Sequence, residues 1–222
     1  MLTEADHKRI ADAITLAESK TSGEIFCVLT NEVSRYREIP LIWGAFAALA
    51  LPPLAVLAGG LDLANIFGRW GDDNFSVLIH RAFNSYALIQ AALFLAVVLV
   101  VAQPAIRRLM TPSFLKRHRV RQLARQHFVA SGARLSDAHP HILIYASLKD
   151  RQVELVAHQA IHKAVGNGPW NASVAAVIAG MKQGNPAEGF VRAIEICGAA
   201  LAANFPGDDQ DKNRFSNNLL ET

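Results

Sequence analysis

Two acids and an arginine lie close together in the second half of the chain, where a short polar segment separates two apolar stretches. Asp150 and Arg151 belong to the polar segment, and Glu154 lies within the second apolar stretch. Carboxylates are hard oxygen ligands for divalent cations, and a guanidinium binds phosphate through paired N–H donors. The set is therefore a candidate phosphate-binding or metal-binding cluster. A second interpretation is structural: Asp150 and Arg151 form a turn, and Arg151 pairs with Glu154 across a β-hairpin.

Two histidines follow this cluster at a spacing that metal sites use. His158 and His162 are four positions apart, which would place both imidazoles on one face of an α-helix. With Glu154 as a third ligand they form a candidate site for a divalent metal ion, and no other cofactor is indicated. The alternative is that both histidines are partly exposed side chains at a strand-to-helix turn. His139 and His141 are a further pair of candidate ligands.

Two long apolar runs stand between the N-terminal part of the chain and this cluster. Residues 39–61 and 83–106 contain no Asp, Glu, Lys, Arg or His. At about 1.5 Å of rise per residue, a helix over either run reaches about 35 Å, which exceeds a hydrocarbon core of about 30 Å. We therefore expect a helical hairpin that spans a membrane. A signal peptide starts nearer the N-terminus and a buried core helix is shorter, so both alternatives are disfavoured.

The charges around the two runs predict the orientation of the hairpin. Two arginines precede the first run, and the 62–82 connection carries two arginines offset by three aspartates. Cationic side chains cluster after the second run: Arg107, Arg108, Lys116, Arg117, Arg119, Arg121 and Arg125. By the positive-inside rule, both termini are expected in the cytoplasm and the connection between the runs on the outer side of the membrane. The cationic set is expected to bind anionic lipid headgroups rather than nucleic acid.

The rest of the chain has the size and pattern of one globular domain that the apolar runs divide. Its first part is residues 1–38 and its second part is residues 107–206, followed by a polar tail over 207–222. A helical period follows a capping Thr3, and an amphipathic helix with a basic side follows Pro112. Short apolar runs predict three strands: Glu24–Thr30, His141–Leu148 and Gln152–Ala157. The last two are close enough in sequence to form an antiparallel β-hairpin.

Several of these segments together resemble the TPM domain family. They are Gly23-Glu24-Ile25 at the first strand, ILIYASLKDRQVELVA over Ile142–Ala157, an apolar helix from Trp170, and LAANFP over Leu201–Pro206. The position of the apolar runs resembles the bacterial membrane-embedded branch of that family, in which two spans follow the first strand. The resemblance implies an α/β fold: an α/β/α sandwich with a small mixed sheet, interrupted by a transmembrane helical hairpin.

The resemblance also implies two classes of function. Some relatives are phosphatases that bind divalent metal ions, and others look like auxiliary proteins of membrane complexes. This chain departs from the pattern after the second strand of the β-hairpin: Ala157-His158-Gln159-Ala160 stands where relatives commonly have an acid, a basic residue and a glycine. We therefore expect a membrane-anchored cytoplasmic binding or scaffolding module, with a membrane protein complex as its partner. A weak metal-dependent phosphatase that acts near the membrane is the alternative.

Overall fold

The computed structural model describes residues 2–59, 75–132, 140–207 and 219–221. It is a mixed α/β structure, as the sequence predicts. The chain divides into two compact units: residues 1–34 together with 113–222, and residues 35–112. Most of the predicted loop 62–82, most of the polar tail and His139 lie outside the described residues.

Eight helices and four strands make up the described part of the two units. The helices are α1 (Glu4–Glu18), α2 (Glu38–Leu57), α3 (Phe75–Val101), α4 (Pro104–Met110), α5 (Ser113–Gly132), α6 (Gln159–Val165), α7 (Gly168–Lys182) and α8 (Pro186–Asn204). The strands are β1 (Glu24–Thr30), β2 (His141–Ser147), β3 (Gln152–Ala157) and β4 (Leu220–Glu221). The bounds of β1 and β3 are those that the sequence predicts. β2 ends one residue earlier than predicted, because the turn to β3 begins at Leu148.

The first unit is built on a mixed four-stranded sheet with the strand order β3-β2-β1-β4. β1 and β2 pair in parallel along their whole length, from Glu24 opposite His141 to Thr30 opposite Ser147. β3 returns antiparallel to β2, which confirms the predicted β-hairpin. β4 adds in parallel to β1 at the opposite edge of the sheet. β4 is not among the predicted strands, because two residues are too few to show a hydrophobic period.

Helices cover both faces of this sheet. One face packs against α1, α6, α7 and α8 through a large apolar cluster. The other face packs against α5 through a smaller cluster around Val120 and Ala124. Because successive side chains of a strand point to opposite faces, Ile142 and Ile144 belong to the first cluster and Leu143 to the second. β2 is buried on both faces, which explains its nearly continuous apolar sequence.

Two helices of the first unit begin at side-chain caps, the first of them at the predicted Thr3. Thr3 and Asp6 form a reciprocal capping box at α1, in which Asp6 N donates to Thr3 Oγ1 and Thr3 N donates to Asp6 Oδ2. At α8, Asn185 Oδ1 accepts a hydrogen bond from Glu188 N, and Pro186 opens the helix. Each cap contributes about 1 kcal/mol, so a few neighbouring residues suffice to set where these helices start.

The second unit consists of α2 and α3 packed against each other, followed by the short α4. Both long helices have the length and composition to cross a membrane. α2 ends at Leu57, before the predicted end at residue 61. α3 both begins and ends earlier than the apolar run predicted over 83–106. α3 stops at Val101 because Pro104 follows: Gln103 lies in an extended conformation (φ −62°, ψ 132°), as residues before proline prefer.

α2 and α3 approach each other closely at Gly44. A Cβ atom at this position would lie 2.6 Å from Val98 Cγ2 and 3.1 Å from Phe94 Cδ2, so a larger residue would push the helices apart. Ala48 lies one turn further along α2 and is also buried. Small residues at this spacing let helix backbones pack closely within a bilayer.

A side chain of α3 replaces a hydrogen bond that a proline removes from α2. Pro52 lies inside α2 and has no N–H, so Ala48 O loses the donor that a helix supplies four residues later. Gln90 Nε2 donates to Ala48 O at 3.2 Å and also to Tyr86 Oη at 3.3 Å. A neighbouring helix therefore satisfies the backbone carbonyl that the proline leaves without its helical donor.

We expect Gln90→Leu to lower the free energy of unfolding of the detergent-solubilised chain by about 1 kcal/mol, because Ala48 O is left without a donor. The same substitution in a Pro52→Ala background should cost much less, because position 52 then supplies its own N–H. Unfolding curves of the four proteins in one detergent measure this coupling. Equal losses in the two backgrounds would contradict the compensation.

Candidate functional site

The acid at the turn between β2 and β3 is part of the interior. Asp150 is only 6% exposed. Its Oδ2 accepts hydrogen bonds from Ser147 Oγ at 2.8 Å and from Val33 N at 3.2 Å. These bonds connect the turn to the segment that follows β1, at the carboxyl ends of the two parallel strands. The contacts of Asp150 are those of a residue that holds a turn in place.

A buried tyrosine and threonine complete this polar group. Burial raises the pKa of Tyr145, its hydrogen bond with Thr30 partly lowers it, and the negative charge of Asp150 raises it again. Tyr145 therefore remains protonated at neutral pH and serves as a hydrogen-bonding group. We call Thr30, Tyr145, Ser147 and Asp150 the strand-end cluster. Its members satisfy one another inside the domain.

Arg151 closes the same turn with an unusual backbone conformation. Its φ is 51°, in the left-handed region, and its N donates to Leu148 O at 3.3 Å. Its side chain is exposed. Left-handed backbone costs a residue with a Cβ roughly 1 kcal/mol, whereas glycine adopts it without strain. The geometry of the turn thus accounts for the backbone conformation of Arg151.

Glu154 pairs with a helix rather than with the turn. Arg121 Nε of α5 donates to Glu154 Oε1 at 2.7 Å. The predicted pair between Arg151 and Glu154 is therefore wrong, because α5 brings a nearer guanidinium to β3. The arginine side chain is half-exposed, so solvent limits the pair to about 1 kcal/mol or less. Asp150, Arg151 and Glu154 have separate surroundings and do not form one polar cluster.

The two histidines after β3 occupy different local environments. His158 is the N-cap of α6, where its Nδ1 accepts a hydrogen bond from Ala160 N at 3.4 Å. Its ring lies 5.8 Å from the His141 ring, between centroids. His162 stands within α6. The prediction that both His158 and His162 lie on one helical face is wrong, because His158 ends the extended segment before the helix begins.

The predicted metal ligands are not gathered into a site. Within the described ranges, no three His, Cys, Asp or Glu side chains stand close enough together to hold a metal ion. Glu154 is paired with Arg121, and His158 uses Nδ1 for its cap. His162 and Glu154 both line the groove described below.

The basic residues of α5 divide into two groups. Arg119 donates to Ser34 Oγ, and Lys116 is half-buried, so these two belong to the packed side of the helix. Arg117, Arg121 and Arg125 repeat at four-residue intervals along its exposed side. The remaining two members of the predicted cationic set, Arg107 and Arg108, lie in the last turn of α4. Only part of the predicted basic face of α5 is therefore presented to solvent.

A groove of about 630 Å³ runs along the outer edge of β3 in the first unit. α5 forms one wall and α7 forms the other, and β3 lies between them. The lining residues used below are Arg117, Arg121, Glu154, Trp170, Val174 and Ile178. The sequence predicts an apolar helix from Trp170, and the structure places Trp170, Val174 and Ile178 of that helix on the wall of this groove. Two features could have indicated this groove: the edge position of β3 and the arginines that lie four residues apart on α5.

β3 presents unpaired backbone groups to this groove. β3 ends the sheet, and no further strand pairs with it in the described part of the chain. His158 N donates to His141 O, so the alternation of the ladder directs the N–H and C=O groups of Val153, Leu155 and Ala157 away from β2. We call this row of three residues the open edge.

The wall formed by α7 holds an unsatisfied donor. Trp170 is 6% exposed, and its Nε1 has no hydrogen-bond acceptor among the described residues. A buried donor without a partner costs about 1–3 kcal/mol, so such groups are rare in folded proteins. The groove therefore combines apolar surface, cationic side chains and unpaired backbone groups, and Trp170 in its wall has a buried indole donor without an acceptor.

The two cysteines are not candidate nucleophiles. Both are free and buried. Burial raises the pKa of Cys197 to about 11 and raises the pKa of Cys27 well above its usual value. The reactive thiolate is therefore scarce at neutral pH.

A solved structure shares this fold. The NMR structure of the BA42 protein from the psychrophilic bacterium Bizionia argentinensis sp. nov. matches 100% of this chain and 96% of its own, with a TM-score of 0.56 and 19% sequence identity. At that identity the likeness shows the fold alone. Neither a protein-family model nor a curated protein matches the chain. The fold is thus that of a mixed α/β domain with a helical pair inserted after its first strand.

We expect Asp150→Ala to lower the free energy of unfolding by about 2–3 kcal/mol, because Ser147 Oγ and Val33 N lose a charged acceptor in the interior. Glu154→Ala is the matched control on the same β-hairpin and should cost about 1 kcal/mol or less. Chemical denaturation of the three proteins measures both effects. Similar losses for the two variants would contradict the structural role of Asp150.

We expect Arg151→Gly to stabilise the chain by about 0.5–1 kcal/mol, because glycine adopts the left-handed conformation of the turn without strain. Arg151→Ala keeps a Cβ atom and should leave stability nearly unchanged. Thermal unfolding of both variants checks the difference. Destabilisation by Arg151→Gly would show that the guanidinium makes a contact worth more than the strain.

Proposed function

We propose that this chain is a membrane-anchored cytoplasmic binding or scaffolding module of the TPM domain type. In this proposal its fold is an α/β/α sandwich that a transmembrane helical hairpin interrupts after β1. The hairpin spans the inner (cell) membrane of a bacterium, with both termini in the cytoplasm. The partners are anionic lipid headgroups and a membrane protein complex, and nucleic acid is not among them.

One observation carries the anchoring part of the proposal: the apolar side chains of α2 and α3 are largely uncovered. In the most apolar 18-residue stretch of α2, only 33% of the residues are buried within the chain. In the corresponding stretch of α3, only 6% are buried. The core helix of a soluble protein would be mostly buried, and a signal sequence would lie nearer the N-terminus. Apolar surface of this extent is expected to be covered by lipid or by another protein.

The cationic side chains after the hairpin support the orientation. Arg107 and Arg108 follow α3 within a few residues, and the exposed arginines of α5 come shortly after. Lys and Arg near the end of a span favour the cytoplasmic side and attract anionic headgroups by about 1 kcal/mol each near the surface. Arg121 and Arg119 contribute less, since each already has a protein partner.

The side-chain environments support binding over hydrolysis. Asp150 serves the turn, Glu154 is neutralised by Arg121, and both thiols have raised pKa values. A hydrolytic site needs a nucleophile or metal-bound water together with a poised base. Binding at the open edge, in contrast, needs no catalytic group. The phosphatase alternative rests on the family resemblance alone.

Thiol labelling in intact cells tests the anchoring and its orientation. We expect a cysteine introduced by Asp72→Cys, in the predicted outer loop, to react with a membrane-impermeant maleimide added outside. Lys182→Cys, on an exposed position of α7, should react only after permeabilisation. The buried native cysteines should remain unlabelled and give the baseline. Labelling of Lys182→Cys in intact cells, or release of the chain by alkaline carbonate, would refute the proposal.

A hydrolysis assay separates the two functions. The purified full chain is incubated with a generic phosphomonoester, with and without divalent metal ions. The binding proposal expects no turnover above that of the Glu154→Ala/His158→Ala double variant. Metal-dependent turnover that the double variant loses would replace the binding module with the phosphatase.

A further inference from the structure

We propose that the open edge of β3 is the docking site of the module and that its occupant is an extended segment of a partner protein with alternating acidic and apolar side chains. The segment adds to the sheet as a fifth strand. This inference rests on the proposed function and supplies its site and the chemistry of its partner.

The first argument is the unpaired backbone of the open edge. Val153, Leu155 and Ala157 direct three N–H and three C=O groups into the groove, and these groups pair with no strand in the described part of the chain. Natural proteins commonly protect such an edge with lysine, proline or a bulge. β3 has none of these: its sequence is QVELVA, and its pairing with β2 is regular. Main-chain hydrogen bonds to an edge of this kind are how extended peptides are captured.

The second argument is the chemistry of the two walls. Side chains of an added strand alternate between the two faces of the sheet. On one face they meet Trp170, Val174 and Ile178 of α7, which favour apolar groups. On the other face they meet Arg117 and Arg121 of α5, which favour acids.

Charge complementarity further selects an acidic occupant. Glu154 is the acid that lines the groove, and Arg121 already neutralises it. Arg117 is exposed and has no ion-pair partner among the described residues. A basic segment would place like charges together, which disfavours binding. A second copy of β3 is disfavoured for the same reason, because antiparallel pairing of two such edges brings two sets of these arginines together.

The third argument is the buried indole. Trp170 Nε1 lacks an acceptor although Trp170 forms part of the wall. A strand placed in the groove brings backbone carbonyl acceptors to that wall. The unsatisfied donor therefore belongs to a residue that the proposed occupant would contact.

Peptide binding to the detergent-solubilised full chain tests the proposal. The probe is a fluorescent peptide of alternating valine and glutamate, and its counterpart has lysine in place of glutamate. We expect the acidic peptide to bind at least about tenfold more tightly than the basic one, as complementary charge predicts. Arg117→Glu should weaken the acidic peptide about tenfold, whereas Arg125→Glu, two turns along the exposed side of α5 and outside this groove, should change binding by less than about twofold.

Hydrogen exchange locates the bound strand. The amides of Val153, Leu155 and Ala157 should exchange more slowly when the acidic peptide is added. Those of Glu154 and Val156, which pair with β2, should be protected with or without it. Leu155→Pro removes one outward N–H but no bond to β2, so this variant should keep its unfolding midpoint and lose binding.

Three results would overturn the inference: equal binding of the two peptides, equal effects of Arg117→Glu and Arg125→Glu, or protection elsewhere than on the open edge. Dimerisation of the chain through β3, detected by light scattering and abolished by Leu155→Pro, would assign the edge to a second copy instead. Failure of these tests leaves the labelling result intact, so loss of this inference is distinguishable from loss of the membrane anchor.

Discussion

The parallel pairing of β1 with β2 is the contact on which the first unit depends. Each residue of β1 pairs with a residue 117 positions later, so the whole second unit lies within one crossover connection. Parallel strands always require such a crossover, and here it contains a pair of apolar helices in addition to α5. The sheet can form only when both segments that flank the helical pair have returned to it. The apolar pair is therefore an insertion within a domain, and two chain connections attach it to the sheet.

The same pairing determines which polar side chains lie together at the carboxyl ends of β1 and β2. Ligands of α/β proteins commonly bind beyond the carboxyl ends of parallel strands. In this chain those ends are occupied by the strand-end cluster, in which Asp150 accepts hydrogen bonds from Ser147 and from the segment after β1. The acid that the sequence offers for catalysis thus stabilises the turn that leads into β3. Unpaired backbone groups lie instead at the outer edge of β3, where no further strand pairs with the sheet among the described residues.

The second unit follows the rule that buried backbone groups must be satisfied. Pro52 removes a donor from α2, and Gln90 of α3 supplies one to the same carbonyl. Gly44 permits the close approach of the helices that this hydrogen bond needs. The outer surface of this pair of helices is apolar and exposed, whereas the polar contacts lie between the helices.

The sequence by itself determined the elements whose signals are local. The bounds of β1 and β3, the capping box at Thr3, the start of α8 after Asn185 and the two apolar helices follow from periodicity, caps and prolines within a few residues of each position. Tertiary structure alone decided that Glu154 meets Arg121, that Asp150 faces the interior, and that the edge of β3 lies in a groove between α5 and α7. The physical reason is that each of these depends on which surfaces pack together. A side chain's neighbours across the sheet are set by strand order and helix placement, and neither is encoded in the residues beside it.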